Sequence, residues 1–385
     1  MKRAYKTEIK LTTQQRDTVV RTLGTCRFVY NLYIARNQQI YAEGGKFISG
    51  YEFSKWLNNE FISQNPRYSW IKEVSSKAVK QSVMNAEQAF KKFFSGKSKF
   101  PKFKKKRDQE VKMFFVKNDA KSVIQCQRHR IKIPTLGWVQ LKEYGYLPTK
   151  EVISSGTVHQ KANRFFVSVL VDIRDIKTQS NTNDGLGIDV GIKDFAVFSN
   201  GDIKRNVNKT QRIKKLKKKL KREQRKLSRK FESLKKRGGK AATRQNLNQQ
   251  ITTVQRIHAR LANIRDNYVN QSVADVVKIK PQYVTIEDLN VRGMMKNRHL
   301  ARAIAEQNFS TFRTKLIYKA RQNGIEIRIA SRFYPSSKTC SECGYIKPDL
   351  KLSDRVYNCP KCGLILDRDL NAAINLKNVS KYTVA

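Results

Sequence analysis

The stretch Leu186-Gly187-Ile188-Asp189-Val190-Gly191, followed by Lys193-Asp194-Phe195-Ala196-Val197-Phe198, decides how this chain is read. It predicts a buried strand carrying one carboxylate, a glycine turn, and a second strand running back beside the first. An Asp inside an otherwise apolar strand is unfavourable unless a cation meets it. A bound divalent metal is the expected partner. A Gly-x-Asp-x-Gly turn can equally be purely structural. Its weight comes from two later carboxylates able to converge on it. Glu287 ends the apolar strand Gln282-Tyr283-Val284-Thr285-Ile286-Glu287, and Asp369 stands in Leu366-Asp367-Arg368-Asp369-Leu370-Asn371-Ala372-Ala373.

Three acids from separate elements can hold two divalent ions about 3.5–4 Å apart. One ion would activate a water and the other would stabilise the departing 3′ oxygen during in-line attack on a phosphodiester. The plain structural reading of Asp369 is an acid complementing a helix dipole. Asp288 and Asp367 are neighbours that could exchange roles with Glu287 and Asp369. None of the four His residues stands in a catalytic setting.

The chain of 385 residues is long enough for two or three domains with real cores, and 39% hydrophobic content with 19 Phe and 15 Tyr argues against a disordered basic tail. Its 79 Lys+Arg against 31 Asp+Glu give a net charge of +48. Such a charge repels itself unless a polyanion neutralises it, and nucleic acid does so with counterion release. An anionic membrane surface is the other candidate. No apolar run reaches spanning length, and Met1-Lys2-Arg3-Ala4-Tyr5-Lys6 lacks a signal-peptide apolar segment. The expected location is the cytoplasm of a prokaryotic cell, in association with the nucleoid, with no membrane partner.

Cys340-Ser341-Glu342-Cys343 and Cys359-Pro360-Lys361-Cys362 are two knuckles separated by 15 residues, 344 to 358. That spacing suits a four-thiolate zinc site, closed and therefore structural. Gly344 and Gly363 follow the knuckles where the turn wants no Cβ. Two disulfides are the bland alternative. Cys26 and Cys126 read as small core residues.

In chain order, residues 1–10 predict an edge strand, and Thr13 a cap for a helix carrying Val19, Val20, Leu23, Phe28, Val29, Leu32 and Ile34. Helical patterns follow at Tyr51–Phe61, Trp70–Ile71 and Ser76–Phe94. The last presents Lys77, Lys80 and Gln81 in its first turns, as donors to phosphates and base edges or simply as a solvated face. Phe100-Pro101-Lys102-Phe103-Lys104-Lys105 interleaves rings and cations, which suits stacking plus phosphate contact or an ordinary basic loop. From 111 to 174 the texture is β, with Lys161-Ala162-Asn163 as a hairpin turn, and predicts a barrel or sandwich. Residues 174–184 read as a linker. Ile213, Leu216, Leu220, Leu227 and Leu234, then Leu247 to Tyr268 after a Gly238-Gly239 break, predict a helical hairpin with a narrow apolar seam. Its outer face, including Arg212, Lys215, Lys218, Arg222 and Arg225, forms a cationic rail suited to a nucleic-acid backbone. Ala301–Asn323 predicts one long helix stopped by Gly324, and Ile325–Ile329 a further strand. No internal repeat is present.

Gly187–Asp194, Pro335-Ser336-Ser337-Lys338-Thr339-Cys340-Ser341-Glu342-Cys343-Gly344 and Asp367–Ala373 resemble the signature of the TnpB family, transposon-encoded RNA-guided nucleases related to the type V CRISPR effectors. Thr22–Asn31 and Phe100–Phe103 are also similar, so the resemblance spans nearly the whole chain. It implies an α/β plus all-β architecture. An RNase H-like (RuvC) nuclease domain would occupy 185–332 and 364–385, including the basic hairpin 211–270, with a zinc ribbon at 333–363 inserted before its last acidic motif. A β-barrel wedge domain (1–10 and 96–174) would carry a helical recognition insert (11–95), joined to the nuclease by a linker at 175–184. Asp189, Glu287 and Asp369 would be the catalytic acids holding two Mg²⁺, and the four cysteines would hold one structural Zn²⁺. The partners would be a guide RNA and target double-stranded DNA, next to a short flanking motif read by protein side chains, with a monomer as the expected state. Three rival readings share most features. They are a nuclease-silent RNA-guided repressor, a transposase acting without RNA, and a zinc-ribbon RNA-binding protein of ribosomal type, which leaves the strand acids unexplained.

Overall fold

The structure, a computed structural model, describes residues 2–117, 124–173, 181, 183–236, 242–351 and 353–385, with 242 and 243 described in backbone only. The chain divides into two compact units, Met1–Asp175 and Ile176–Ala385. Most of the expected linker, and the Gly238-Gly239 break, lie outside the described residues.

In the first unit, strands β1 (Lys2–Lys10), β2 (Met113–Val116), β3 (Arg130–Ile133), β4 (Gly137–Leu141), β5 (Ile153–Lys161) and β6 (Arg164–Asp172) form one antiparallel sheet in the order β2-β5-β6-β1-β4-β3. The N-terminal strand is thus central, not an edge. It pairs with β6 from Lys2 to Ile9 and with β4 at Ile9 and Lys10. Alternating apolar and polar positions signal a half-buried strand but not how many neighbours it has. The β5–β6 turn uses Ala162 and Asn163 at φ 52° and 62°, the left-handed pair that suits a two-residue hairpin. β2 and β3 stand at the two ends of this strand order, and Cys126 makes an isolated antiparallel bridge with Ile131 of β3.

Helix α1 (Thr13–Ala42) begins at Thr12, one residue before the expected cap; Thr12 and Gln15 form a reciprocal capping box. Val19, Leu23 and Cys26 of α1 join the sheet core. Val29, Tyr30, Tyr33 and Ile34, farther along, join a separate core with Phe53 of α2 (Gly50–Trp56) and Val83, Ala86 and Phe90 of α3 (Ser76–Phe94). One helix therefore serves both cores. Full burial takes the Cys26 thiol up to about 12, in keeping with a packing role.

The second unit is built on β7 (Leu186–Asp189), β8 (Asp194–Phe198), β9 (Ile203–Arg205), β10 (Tyr283–Glu287), β11 (Glu326–Ala330) and β14 (Tyr382–Val384), in the order β14-β11-β10-β7-β8-β9. β7, β10 and β11 run parallel, β8 and β9 continue as antiparallel neighbours, and β14 is antiparallel on β11. The basic hairpin is α4 (Gln211–Lys236) and α5 (Ala242–Ile279). Ile213, Ile257 and Leu261 form its seam, with Leu216, Leu220 and Ile264 against them. Buried Glu223 pins the two helices, accepting from Gln250 Nε2 at 2.9 Å. α5 runs past the expected end of the hairpin, and its Val269, Val273 and Val276 pack on the sheet with Leu186, Ile188, Val284 and Ile286.

The expected single helix at 301–323 is two, α6 (Ala301–Gln307) and α7 (Phe309–Gln322). They are broken at Asn308, whose φ is 59°. The break lets buried Gln307 donate from Nε2 to the carbonyls of Gly191 and Ile192, each at 3.2 Å, tying the turn after β7 to this helix. The cysteine ribbon contributes β12 (Val356–Asn358) and β13 (Ile365–Asp367), leading directly into α8 (Arg368–Lys377). Among the described residues no helix is long and apolar enough to cross a membrane.

Candidate functional site

Strand alternation decides where the acids point. Leu186, Ile188, Val284 and Ile286 all face the core shared with α5 and α7, so Gly187, Asp189, Thr285 and Glu287 face the opposite side of the sheet. β7 and β10 are in register, with Ile188 opposite Ile286. Asp189 and Glu287 are each one residue further on, at the carboxyl ends of adjacent parallel strands. α8 lies on that same face. A Cβ at Gly187 would sit 1.9 Å from the Ala373 carbonyl oxygen and 2.5 Å from the Lys377 nitrogen, while the small, buried Ala372 and Ala373 permit the approach. Asp369, in the first turn of α8, is thereby brought to the strand ends.

The electrostatics show the convergence. Asp189 keeps some exposed surface, but the surrounding protein desolvates it, and the charges of Glu287 and Asp369 add to that. Together they raise its carboxyl to about 8, against a smaller opposing pull from Arg368 and the Val190 N–H. Glu287 is also raised by burial, partly offset by a hydrogen bond from Ser336. Arg368 donates from Nη2 to Asp369 at 3.1 Å. Burial and the nearby charges of Glu287 and Asp369 thus disfavour the ionised form of Asp189, and a multivalent cation would relieve both effects. The donor set is all oxygen, which fits Mg²⁺ or Mn²⁺.

The neighbouring acids have other tasks. Asp367 is the exposed N-cap of α8, accepting from the Asp369 and Leu370 backbone N–H groups at 2.9 and 3.1 Å. Asp288 is held below the usual carboxylate range, chiefly by Arg313 and then by Arg332, each donating at 2.6 Å. A cavity of about 340 Å³ opens beside Glu287, with Val190, Ile286, Phe309, Phe312 and Arg313 in its walls.

The ligand sulfurs of Cys340, Cys343, Cys359 and Cys362 all lie within 4.8 Å of one another. Cys340–Cys362 and Cys343–Cys359 are each 3.6 Å apart. No disulfide spans that distance, whereas a tetrahedron with Zn–S near 2.3 Å has edges of about 3.8 Å. Burial opposes ionisation of Cys359, but backbone N–H donors of Cys362 and Lys361 and bonds from neighbouring thiols outweigh it and bring the thiol down to about 6. The four residues therefore fit zinc.

Among the expected nucleic-acid contacts, Arg212, Lys215, Lys218, Arg222 and Arg225 are exposed on α4, with Arg222 leaning on Glu223. Lys77 and Lys80 are exposed at the start of α3, and Gln81 is half-buried and bonded to Asn85. Lys102 and Lys105 are exposed, but Lys104 turns inward to pair with Glu110 and lie over the Tyr30 ring. Ser336, Arg368, Asn371 and Asn375 are site residues that the sequence reading missed. Ser336, Arg368 and Asn371 lie inside the signature stretches, and Asn371 and Asn375 are spaced i, i+4 on an otherwise apolar helix face.

Three family models match parts of the chain. A model described as "Probable transposase" matches residues 168–298, a "Cas12f1-like, TNB domain" model matches 309–376, and a "Helix-turn-helix domain" model matches 1–46. In the structure that last segment is a strand and one long helix. Over 386 residues the chain is 29% identical to a Streptomyces pristinaespiralis protein named "Putative RNA-guided DNA endonuclease", covering 98% of this chain and 89% of the relative. It is likewise 29% identical over 392 residues to the InsQ protein of Escherichia coli K12, which has the same description, covering 97% and 91%. A solved Cas12f1–sgRNA–target DNA complex shares the fold, with a TM-score of 0.59 at 17% identity, covering 96% of this chain and 84% of that one. Residues 168–298 are thus similar to the family described as "Probable transposase", and nearly the whole chain is similar to proteins named putative RNA-guided DNA endonucleases.

Proposed function

We propose that this protein is an RNA-guided, Mg²⁺-dependent DNA endonuclease of a transposable element, cutting DNA complementary to a bound guide RNA beside a short flanking motif. The observation that carries the reading is the placement of Asp189 and Glu287 at the carboxyl ends of adjacent parallel strands, with α8, which bears Asp369, packed on the same face at Gly187. Perturbed acids of this kind concentrate at functional sites. The sheet order, two parallel strands bearing acids beside an antiparallel meander, supports an RNase H-like nuclease. The relatives' names support RNA guidance and DNA as substrate. The division at residue 175 supports a separate wedge and recognition unit preceding it.

Asp189, Glu287 and Asp369 would hold the divalent ions, which when bound supply an activated water and charge neutralisation at the phosphodiester. Arg368 limits the repulsion and fixes Asp369 in its rotamer. The helix cap at Asp367 holds the first turn of α8 in place, and Asp288 orders Arg313 and Arg332 beside the cavity at Glu287. The exposed cations of α4 would follow a sugar-phosphate backbone, giving affinity without sequence.

The test is cleavage of matched DNA by the protein purified with its copurifying RNA, in Mg²⁺. Asp189→Ala should abolish cleavage and leave RNA binding in place. Cleavage that survives the substitution overturns the assignment. DNA occupancy without cutting by the unaltered protein supports a repressor, and strand joining without RNA supports a transposase.

A further inference from the structure

The motif Pro335–Gly344 does more than supply two thiolates. The turn between β11 and the first knuckle is fixed to α8 by two buried amides. Asn371 Nδ2 donates to the Thr339 carbonyl at 2.7 Å, and its Oδ1 accepts from the Ser341 N–H at 3.0 Å. Asn375, one turn on, donates to the Thr339 carbonyl at 2.6 Å and the Ser336 carbonyl at 2.8 Å. The other side of the turn is closed by the Thr339 N–H and hydroxyl, both donating to the Pro335 carbonyl. At its apex, buried Ser336 donates from Oγ to Glu287 Oε1 at 2.6 Å. Cys340 follows directly, and buried Tyr357 of the ribbon donates to the Lys338 and Tyr345 carbonyls at 3.2 and 3.1 Å. A continuous set of bonds thus runs from the cysteine knuckle to a carboxylate of the acid cluster, and α8 is the common support for Ser336 and Asp369.

We infer that Ser336 is the positioning residue for Glu287, held in place by Asn371 and Asn375, and that zinc bound to the four cysteines sets the geometry of the acid cluster through this turn. The inference rests on the nuclease reading for its activity arm only. Ser336 holds Glu287 Oε1 at 2.6 Å, and a hydrogen bond to one carboxylate oxygen orients the group while leaving the other oxygen available to a cation. The ribbon then acts as a checkpoint, since a chain without zinc would present the same acids with Glu287 unconstrained.

The experiment compares the full-length protein with Ser336→Ala, Ser336→Thr and Cys362→Ser, measuring Mn²⁺ affinity by electron paramagnetic resonance, zinc content, retained RNA and, where the unaltered protein cuts, the Mg²⁺ dependence of cleavage. Ser336→Ala should weaken Mn²⁺ binding about 10–100-fold and raise the Mg²⁺ concentration for half-maximal cleavage, with zinc and RNA unchanged. Ser336→Thr, which keeps the hydroxyl, should restore most of the loss. Cys362→Ser should lose zinc and weaken Mn²⁺ binding to a similar degree. Unchanged Mn²⁺ affinity in Ser336→Ala, or equal loss in the Ala and Thr variants, overturns the positioning role. Unchanged Mn²⁺ affinity in a zinc-free Cys362→Ser overturns the coupling. If the unaltered protein binds Mn²⁺ but cuts nothing, the nuclease reading fails while the Mn²⁺ comparison still decides this one.

Discussion

Gly187 of β7 and Ala373 of α8 are in backbone contact, with no room for a methyl group between them, since a Cβ at 187 would lie 1.9 Å from the Ala373 carbonyl oxygen. That contact sets the distance between the strand bearing Asp189 and the helix bearing Asp369. Gly187→Ala must push α8 outward, because the obstructing atoms are backbone and cannot rotate away. The expected outcome is a loss of cleavage of at least 100-fold, since a displacement of about 1 Å at reacting groups has that effect. Guide RNA should be retained, because the cationic surface of α4 is untouched. Wild-type cleavage by Gly187→Ala would show that α8 does not set the acid geometry.

Asp367 and Asp369 separate by role. Asp367→Ala removes a helix cap and should lower stability by about 1 kcal/mol, with cleavage reduced modestly. Asp367→Asn, which can still accept the two N–H bonds, should be close to wild type. Asp369→Asn should abolish cleavage without loss of stability. Thermal melts and cleavage rates on the three variants check this, and the reverse ranking would exchange the two acids.

The sequence made the two acids hard to tell apart because both fall at the start of one helix, two residues apart. Which one faces the strand depends on how α8 sits on Gly187, a tertiary contact. The four cysteines and the β5–β6 turn were legible because their spacing alone dictates local geometry. The break at Asn308 was not, since Asn is tolerated in helices and its left-handed backbone accompanies the tertiary bonds of Gln307 to Gly191 and Ile192. The central position of β1 was hidden for a similar reason. Its alternation records one buried face, while its second neighbour comes from a strand more than 150 residues away in sequence.

The acid cluster should carry a pH signature in magnesium-free buffer. Unfolded, Asp189 loses its proton near its ordinary value of 3.8, but in the fold not until about 8. Between these values the folded state binds more protons than the unfolded one, so stability falls as pH rises, by up to about 1.4 kcal/mol per unit. Asp189→Asn should therefore be more stable than wild type at pH 8, by about 2 kcal/mol or more after allowance for its partial exposure. The advantage should shrink towards pH 4 and be removed at pH 8 by Mg²⁺. Urea titrations across this range test it, and a difference independent of pH would contradict it.

The cationic face of α4 predicts a salt effect. Replacing Lys215, Lys218 or Arg225 by Ala should each reduce the slope of log affinity against log salt by about 1 where the residue meets a phosphate. Lys104→Ala should leave the slope unchanged, because Lys104 is already paired with Glu110. Filter binding of RNA at several salt concentrations gives the slopes. Equal slopes for the α4 variants and wild type would make that face merely solvated.

The most direct test is to locate Mn²⁺ by anomalous diffraction in crystals of the protein soaked in that ion. The predicted result is anomalous density touching carboxylate oxygens of Asp189, Glu287 and Asp369 together. Density elsewhere, with these three carboxylates left without a cation at saturating Mn²⁺, would contradict it.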